Sequence, residues 1–189
     1  MSEPRRIEAP FSRELARLLH AGDRVLVSGT LWVARDAAHA RLAGTLGRGG
    51  TLPFPPEGAV LYYMGPSPAR PGQIIGAAGP TTAARMDVYV RSLLEAGVRG
   101  MIGKGERSEE ARRAIREHGA VYLAATGGVG ALLGSCITFC EIVAYEDLGP
   151  EALRRVEVRD LPAIVAIDTS GGDLYTIGRV RWRGERGAG

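Results

Sequence analysis

The stretch Gly79 to Gly105, GPTTAARMDVYVRSLLEAGVRGMIGKG, holds three kinds of local signal in succession. Gly79-Pro80-Thr81-Thr82 is a turn. Ala83 to Glu95 carries apolar Met86, Val90, Leu93 and Leu94 at helical spacing. Gly97 to Gly105 then reads as a strand running into a Gly-Lys-Gly loop. A turn, a helix and a strand in this order form the repeating unit of an α/β domain.

The same alternation extends in both directions. Towards the N-terminus lie a helix over Pro10 to His20, a β-rich run from Arg24 to Val33, a helix from Asp36 to Leu46 with Asp36 placed to cap it, a strand at Ala59 to Met64 and a short strand at Gln73 to Ala77. Towards the C-terminus come a charged helix at Ser108 to His118, a strand at Ala120 to Ala125 and a helix opened by Gly127 to Gly134. They are followed by a strand at Ile137 to Tyr145, a turn or short helix at Leu148 to Leu153, a strand-like run from Val156 to Ile167 around Pro162, and a final strand at Leu174 to Trp182. The pattern predicts a layered α/β domain with a mixed sheet, one domain over residues 1–189.

Composition narrows the function. The 189 residues are 45% hydrophobic, enough to bury a core, and mean hydropathy is −0.02. No apolar run reaches a membrane span, and Met1 to Pro10 lacks the apolar core of a secretory signal, so a cytoplasmic protein with no membrane partner is expected. Net charge is +3 with a pI near 9.1. The arginines are scattered and no basic block is interleaved with aromatics, so no nucleic-acid partner is expected. A surplus of cations also suits a binder of small dianions. Asparagine is absent and Gln73 is the single glutamine. That scarcity of thermolabile amides fits a thermophile, and a GC-rich coding bias gives the same result. Cys136 and Cys140 read as small core or near-core side chains, too few for a structural zinc or iron–sulfur site.

Among 24 Lys and Arg residues there is one lysine, Lys104. Arginine presents a planar fork, lysine a compact point charge on a flexible stem. The lone ammonium between Gly103 and Gly105 therefore marks a place where a fork would not serve, unless it is a chance survivor of arginine bias. It is not a nucleotide-loop lysine, because Val98 stands where that motif needs glycine and Gly105 where it needs Ser or Thr. Thr81 and Arg85, four apart at a helix start, are placed to share one side of the first turn, where free amides attract an anion. The alternative is a threonine N-cap followed by a solvated arginine. Arg35 precedes Asp36, and His39 three residues on is placed to pair with Asp36 as a proton carrier or to be a satisfied structural histidine. Gly128, Gly130 and Gly134 form a loosened dinucleotide fingerprint that tight helix packing explains equally well. Two arginines, one lysine and a hydroxyl from separate loops suit a small dicarboxylate. No metal-ligand set is visible.

These segments resemble a known family. Ser28-Gly29-Thr30, Arg35-Asp36-Ala37-Ala38-His39, Gly79 to Asp87, Ile102-Gly103-Lys104-Gly105, Thr126-Gly127-Gly128, Tyr145 to Ala152, Asp160 to Val165, Asp168 and Asp173-Leu174-Tyr175 resemble, in order, the β subunit or C-terminal domain of class I fumarate hydratases, a pattern shared by L-tartrate dehydratase β subunits. The resemblance implies a swivelling β/β/α three-layer domain and a hydro-lyase that interconverts fumarate and L-malate, or dehydrates L-tartrate. It implies a [4Fe-4S] cluster held by cysteines of a separate α subunit, with none bound by this chain, and a β–β dimer or α2β2 assembly. It would place Arg35, Arg85 and Lys104 on substrate carboxylates, Thr81 at the carbon that exchanges a proton, and Asp36 and His39 behind Arg35. A non-catalytic dicarboxylate- or nucleotide-binding module on the same scaffold is the competing expectation.

Overall fold

The computed structural model describes residues 3–186. In chain order the elements are β1 (Arg5–Ala9), α1 (Arg13–Arg17), β2 (Arg24–Val33), α2 (Asp36–Gly47), β3 (Val60–Tyr62), a 3-10 turn (Ala83–Met86) leading into α3 (Asp87–Glu95), β4 (Gly100–Gly103), α4 (Glu109–Glu117), β5 (Val121–Ala124), α5 (Gly130–Ser135), β6 (Ile137–Ala144), a second 3-10 turn (Glu146–Glu151), β7 (Leu153–Ile167) and α6 (Leu174–Arg186). The α/β class with a mixed sheet is as expected. No helix among the described residues is long and apolar enough to cross a membrane.

Seven strands form one sheet in the order β1-β2-β3-β4-β5-β7-β6. Strands β1 to β5 pair in parallel, and β7 runs antiparallel to β2, β5 and β6. Because β7 also pairs with β2 along Arg24 to Val33, the path β2-β3-β4-β5-β7 returns to its starting strand. That closure creates an inside and an outside. Successive strand residues point to opposite faces: Val60, Tyr62, Ile102, Val121 and Leu123 join Val25, Val27, Leu161 and Val165 in one core. Leu61, Tyr63, Met101 and Tyr122 join Leu42, Val90, Leu93 and Ile115 of the helices in a second. Strands covered on both faces read as continuous apolar runs, which is why β3 to β5 were legible. Each fully buried aliphatic or aromatic side chain contributes roughly 1.5–3 kcal/mol.

Local chemistry fixes the helix starts. Ser12 Oγ accepts a hydrogen bond from the Leu15 N–H, and Ser108 Oγ accepts from Ala111. Helix α4 adds Glu109 and Glu110 in its first turn and Arg116 in its last, matching the helix dipole.

Four readings are corrected. Leu174 to Trp182 is not a strand but the body of α6, because Asp173 Oδ1 accepts from the Tyr175 N–H at 2.9 Å and caps a helix. Gln73 to Ala77 is not a strand. Its backbone is held by Ser67, whose Oγ accepts from Ala77 N–H at 2.8 Å, and a Cβ on Gly76 would overlap Ser67. The single helix over Ala83 to Glu95 is a 3-10 turn followed by α3, so Thr81 lies before the helix rather than on its first turn. Asp36 does not cap α2: Arg35 occupies the cap position and Asp36 is the first helical residue. Strand β1, in a stretch read only for its charges, follows from Ile7 and Ala9 alternating inward while the arginines stay out. Cys136 and Cys140 are free, part-buried and packed against the first core, and burial pushes both thiols up.

Candidate functional site

Parallel pairing of β2, β3, β4 and β5 brings their carboxyl ends to one edge. In parallel α/β sheets, open or closed, ligands bind at the carboxyl ends of the strands. The chain leaves β2 into Arg35-Asp36, β3 into Tyr63-Met64-Gly65, β4 into Lys104-Gly105 and β5 into Thr126-Gly127.

The segment Pro80 to Thr82 is threaded between two of these exits. The Thr81 N–H donates to the Tyr63 carbonyl at 2.6 Å, the Lys104 N–H donates to the Thr81 carbonyl at 3.1 Å, and the Ala83 N–H donates to the Lys104 carbonyl at 2.8 Å. Thr81 and Lys104 are thus fixed to each other through the backbone, although 23 positions apart in sequence. A Cβ at Gly103 would come within 2.9 Å of the Tyr63 ring and 3.1 Å of the Ala83 Cβ, so only glycine permits this approach. Beyond it, Lys104 is exposed, runs past Gly127, and has no ion-pair partner among the described residues.

Both arginines are held by carboxylates. Arg85 makes a two-pronged contact with Asp36, Nε to Oδ1 at 2.9 Å and Nη2 to Oδ2 at 2.7 Å. That fork ties the 3-10 turn after Thr82 to the start of α2. Arg35 Nη2 lies 3.4 Å from Glu151 Oε1, while Glu151 Oε2 accepts from the Ala37 N–H at 2.9 Å and so satisfies an open amide at the α2 start. The Arg35 guanidinium also presses on Gly65, where a Cβ would overlap it.

His39 is fully buried behind this layer. Its Nδ1 is 2.9 Å from the Arg35 carbonyl and its ring stands edge-on to Tyr63 at 5.1 Å. Burial, reinforced by the Arg107 cation, pushes its pKa down to about 4, against the upward pulls of the Arg35 carbonyl and Asp36. The Asp36–His39 pair considered from sequence does not form, because Asp36 is engaged by Arg85. Neutral His39 holds the Arg35 backbone instead.

Beneath Thr81 and Lys104 lies a buried polar layer that sequence reasoning did not isolate. Arg107 pairs with Asp87 at 2.5 Å, and its guanidinium lies over the rings of Tyr63 and Tyr122. Asp87 also accepts the Ser108 N–H. Glu151, Gly65, Tyr63 and Tyr122 had no local signal, since each acts on a residue far away in sequence. The glycines Gly130 and Gly134 pack helix α5 closely: a Cβ would come within 3.1 Å of Gly79 N and 2.6 Å of the Gly76 carbonyl respectively. Close helix packing therefore accounts for that run. No group of three or more His, Cys, Asp or Glu able to hold a metal occurs among the described residues.

Fold and site together define an α/β domain in which Arg35, Thr81, Arg85 and Lys104 stand on segments at the carboxyl ends of parallel strands. Residues 5–178 match the family described as Fumarase C-terminus, and the chain belongs to that family. It is 38% identical over 173 residues to an aerobic class I fumarate hydratase of Salmonella typhimurium, covering 89% of this chain and 30% of that protein. It is 39% identical over 157 residues to fumarate hydratase 2 of Leishmania major, covering 82% and 28%. A putative L(+)-tartrate dehydratase subunit beta of Methanocaldococcus jannaschii is 34% identical over 171 residues, covering 87% and 88%. The chain thus spans under a third of the length of those two fumarate hydratases and nearly all of the subunit.

Proposed function

We propose that this chain is the β subunit of an iron–sulfur-dependent hydro-lyase that hydrates fumarate reversibly to L-malate. The observation that supports the reading is the backbone lock between Thr81 and Lys104, which ties a residue with an unpaired ammonium to one with a hydroxyl at the strand ends from which Arg35 also leaves. Lys104 supplies the free positive charge for one substrate carboxylate. Arg35 and Arg85 exchange contact with Glu151 and Asp36 for contact with substrate, or share it. Thr81, held at Tyr63 and Lys104, stands at the carbon that gains or loses a proton, with Lys104 stabilising charge on its oxygen. Asp36, His39 and Glu151 hold the arginines from behind.

The [4Fe-4S] cluster belongs to a separate α subunit and supplies a Lewis acid for the substrate hydroxyl. Cys136 and Cys140 take no part in holding it. The chain forms one swivelling three-layer β/β/α domain, supported by the two cores on either face of the parallel strands, and assembles as a β–β dimer or α2β2 complex. A second reading, L-tartrate dehydration, is favoured by the near full-length match to the M. jannaschii subunit.

The test is an anaerobic assay with fumarate, L-malate and L-tartrate, using the chain alone and co-assembled with a cluster-bearing α subunit. Turnover only in the assembled form is expected, and the preferred substrate separates the two readings. Turnover by the isolated chain overturns the split site, and binding without turnover in the assembly leaves a non-catalytic dicarboxylate module.

A further inference from the structure

The loop that carries Lys104 is anchored from below. Gly105, with a positive φ of 83°, turns the chain directly after the lysine. Its carbonyl accepts a hydrogen bond from the Tyr122 hydroxyl at 2.9 Å. Tyr122 is itself immobilised: its ring is buried on β5, and the Arg107 guanidinium lies over it at 4.9 Å, pinned by Asp87. From the other side, Tyr175 of α6 interacts with the Gly105 backbone, and Arg179 of α6 pairs with Glu106 at 3.0 Å.

We infer that Tyr122 is a positioning residue for Lys104, transmitting the rigidity of the buried Asp87–Arg107 layer to the lysine through the Gly105 carbonyl. The functional consequence rests on the reading of the strand edge as a dicarboxylate site. A long, flexible side chain on a tight turn binds a small ligand well only if its backbone is fixed in advance. Tyr122 provides that fixation without touching substrate. The same chain of contacts gives Asp87, the last residue of the Gly79 to Asp87 block, a role: it aims Arg107 at the two tyrosine rings.

The single lysine makes the test direct. Full-length chain labelled with 15N-lysine shows one lysine amide, that of Lys104, whose N–H donates to Thr81. Wild type, Tyr122→Phe and Tyr175→Phe are compared by amide hydrogen exchange and by titration with fumarate, L-malate and L-tartrate, with 15N-leucine amides as a record of the rest of the fold. In Tyr122→Phe, Lys104 exchange is expected to accelerate by about tenfold or more, the scale of one lost hydrogen bond. Leucine exchange stays as in wild type and dicarboxylate affinity weakens several-fold. Tyr175→Phe, which removes the second contact to the Gly105 backbone, moves both readouts the same way by less. Unchanged Lys104 exchange in Tyr122→Phe overturns the inference, as does acceleration shared equally by the leucines. Should wild type co-assembled with the α subunit respond to none of the three acids while Tyr122→Phe still accelerates Lys104 exchange selectively, the dicarboxylate reading fails and the positioning stands.

Discussion

Two aspartate–arginine pairs anchor the 3-10 turn Ala83–Met86, one through Arg85 within it and one through Asp87 just after it, and they sit in different surroundings. Asp87–Arg107 is sealed, with side-chain exposures of 7% and 0%. Asp36–Arg85 is open, at 31% and 49%. Both use the same functional groups, and the solvent decides what each can do. A sealed pair has given up its water and is held by fixed protein groups, here the Ser108 N–H and the two tyrosine rings, so it serves as a fixed part. An open pair lies near break-even with solvent, so a ligand carboxylate can compete for its arginine. The chain thus builds a rigid layer under Lys104 and an exchangeable layer beside it from one vocabulary.

The largest expected effect lies on the sealed side. Arg107→Leu removes the cation from the buried Asp87 carboxylate and leaves it only the Ser108 N–H, so stability should fall by about 3–5 kcal/mol, measured by urea unfolding. A loss below about 1 kcal/mol would erase the contrast between the layers.

Next is the pH response of His39, which feels the charge of the same Arg107. Its folded pKa of about 4 lies below the ordinary 6.5. The unfolded chain therefore binds the proton first. The contribution of neutral His39 is complete above about pH 6.5, is lost as pH falls to about 4, and changes no further below that. At about 1.4 kcal/mol per pKa unit the loss is on the order of 3 kcal/mol. A His39→Phe variant, with unfolding followed over the same range, should lack that component.

The smallest effect on stability lies on the open side. Arg85→Gln should change unfolding free energy by under about 1 kcal/mol, while under the proposed function kcat/KM of the α-subunit assembly falls by at least about tenfold through loss of a charged fork on substrate. Together these variants would show stability and substrate handling residing in separate pairs.

Local pattern made the fold legible where burial is two-sided or a cap is close at hand: β3 to β5, the apolar spacing of α3, and Ser108 before α4. It failed at α6, where Ile177 and Val180 are exposed despite their β-like character, and the deciding fact was the Asp173 cap. At the candidate site, Arg35, Thr81, Arg85 and Lys104 were visible as candidates, the three cations by charge and Thr81 by its place after the Gly79-Pro80 turn. Their supports were not. Glu151 reaches Ala37 across 114 positions, and the Tyr122 hydroxyl serves a carbonyl 17 residues back. Glu151 was marked only by lying in the Tyr145 to Ala152 block, with no sign of what it holds, and Tyr122 reads as an ordinary core aromatic. The pairing of Asp36 with Arg85 rather than His39 is of the same kind, decided by a parallel sheet that places α2 beside the Thr82 turn.

The most direct measurement is anaerobic turnover of the Lys104→Arg variant, co-assembled with the cluster-bearing subunit and compared with wild type at matched circular dichroism and melting temperature. A point charge on a glycine turn cannot be replaced by a larger planar fork, so kcat/KM should fall by about a hundredfold or more, on the scale of losing one charge-stabilising group. Turnover of Lys104→Arg within twofold of wild type would contradict the account.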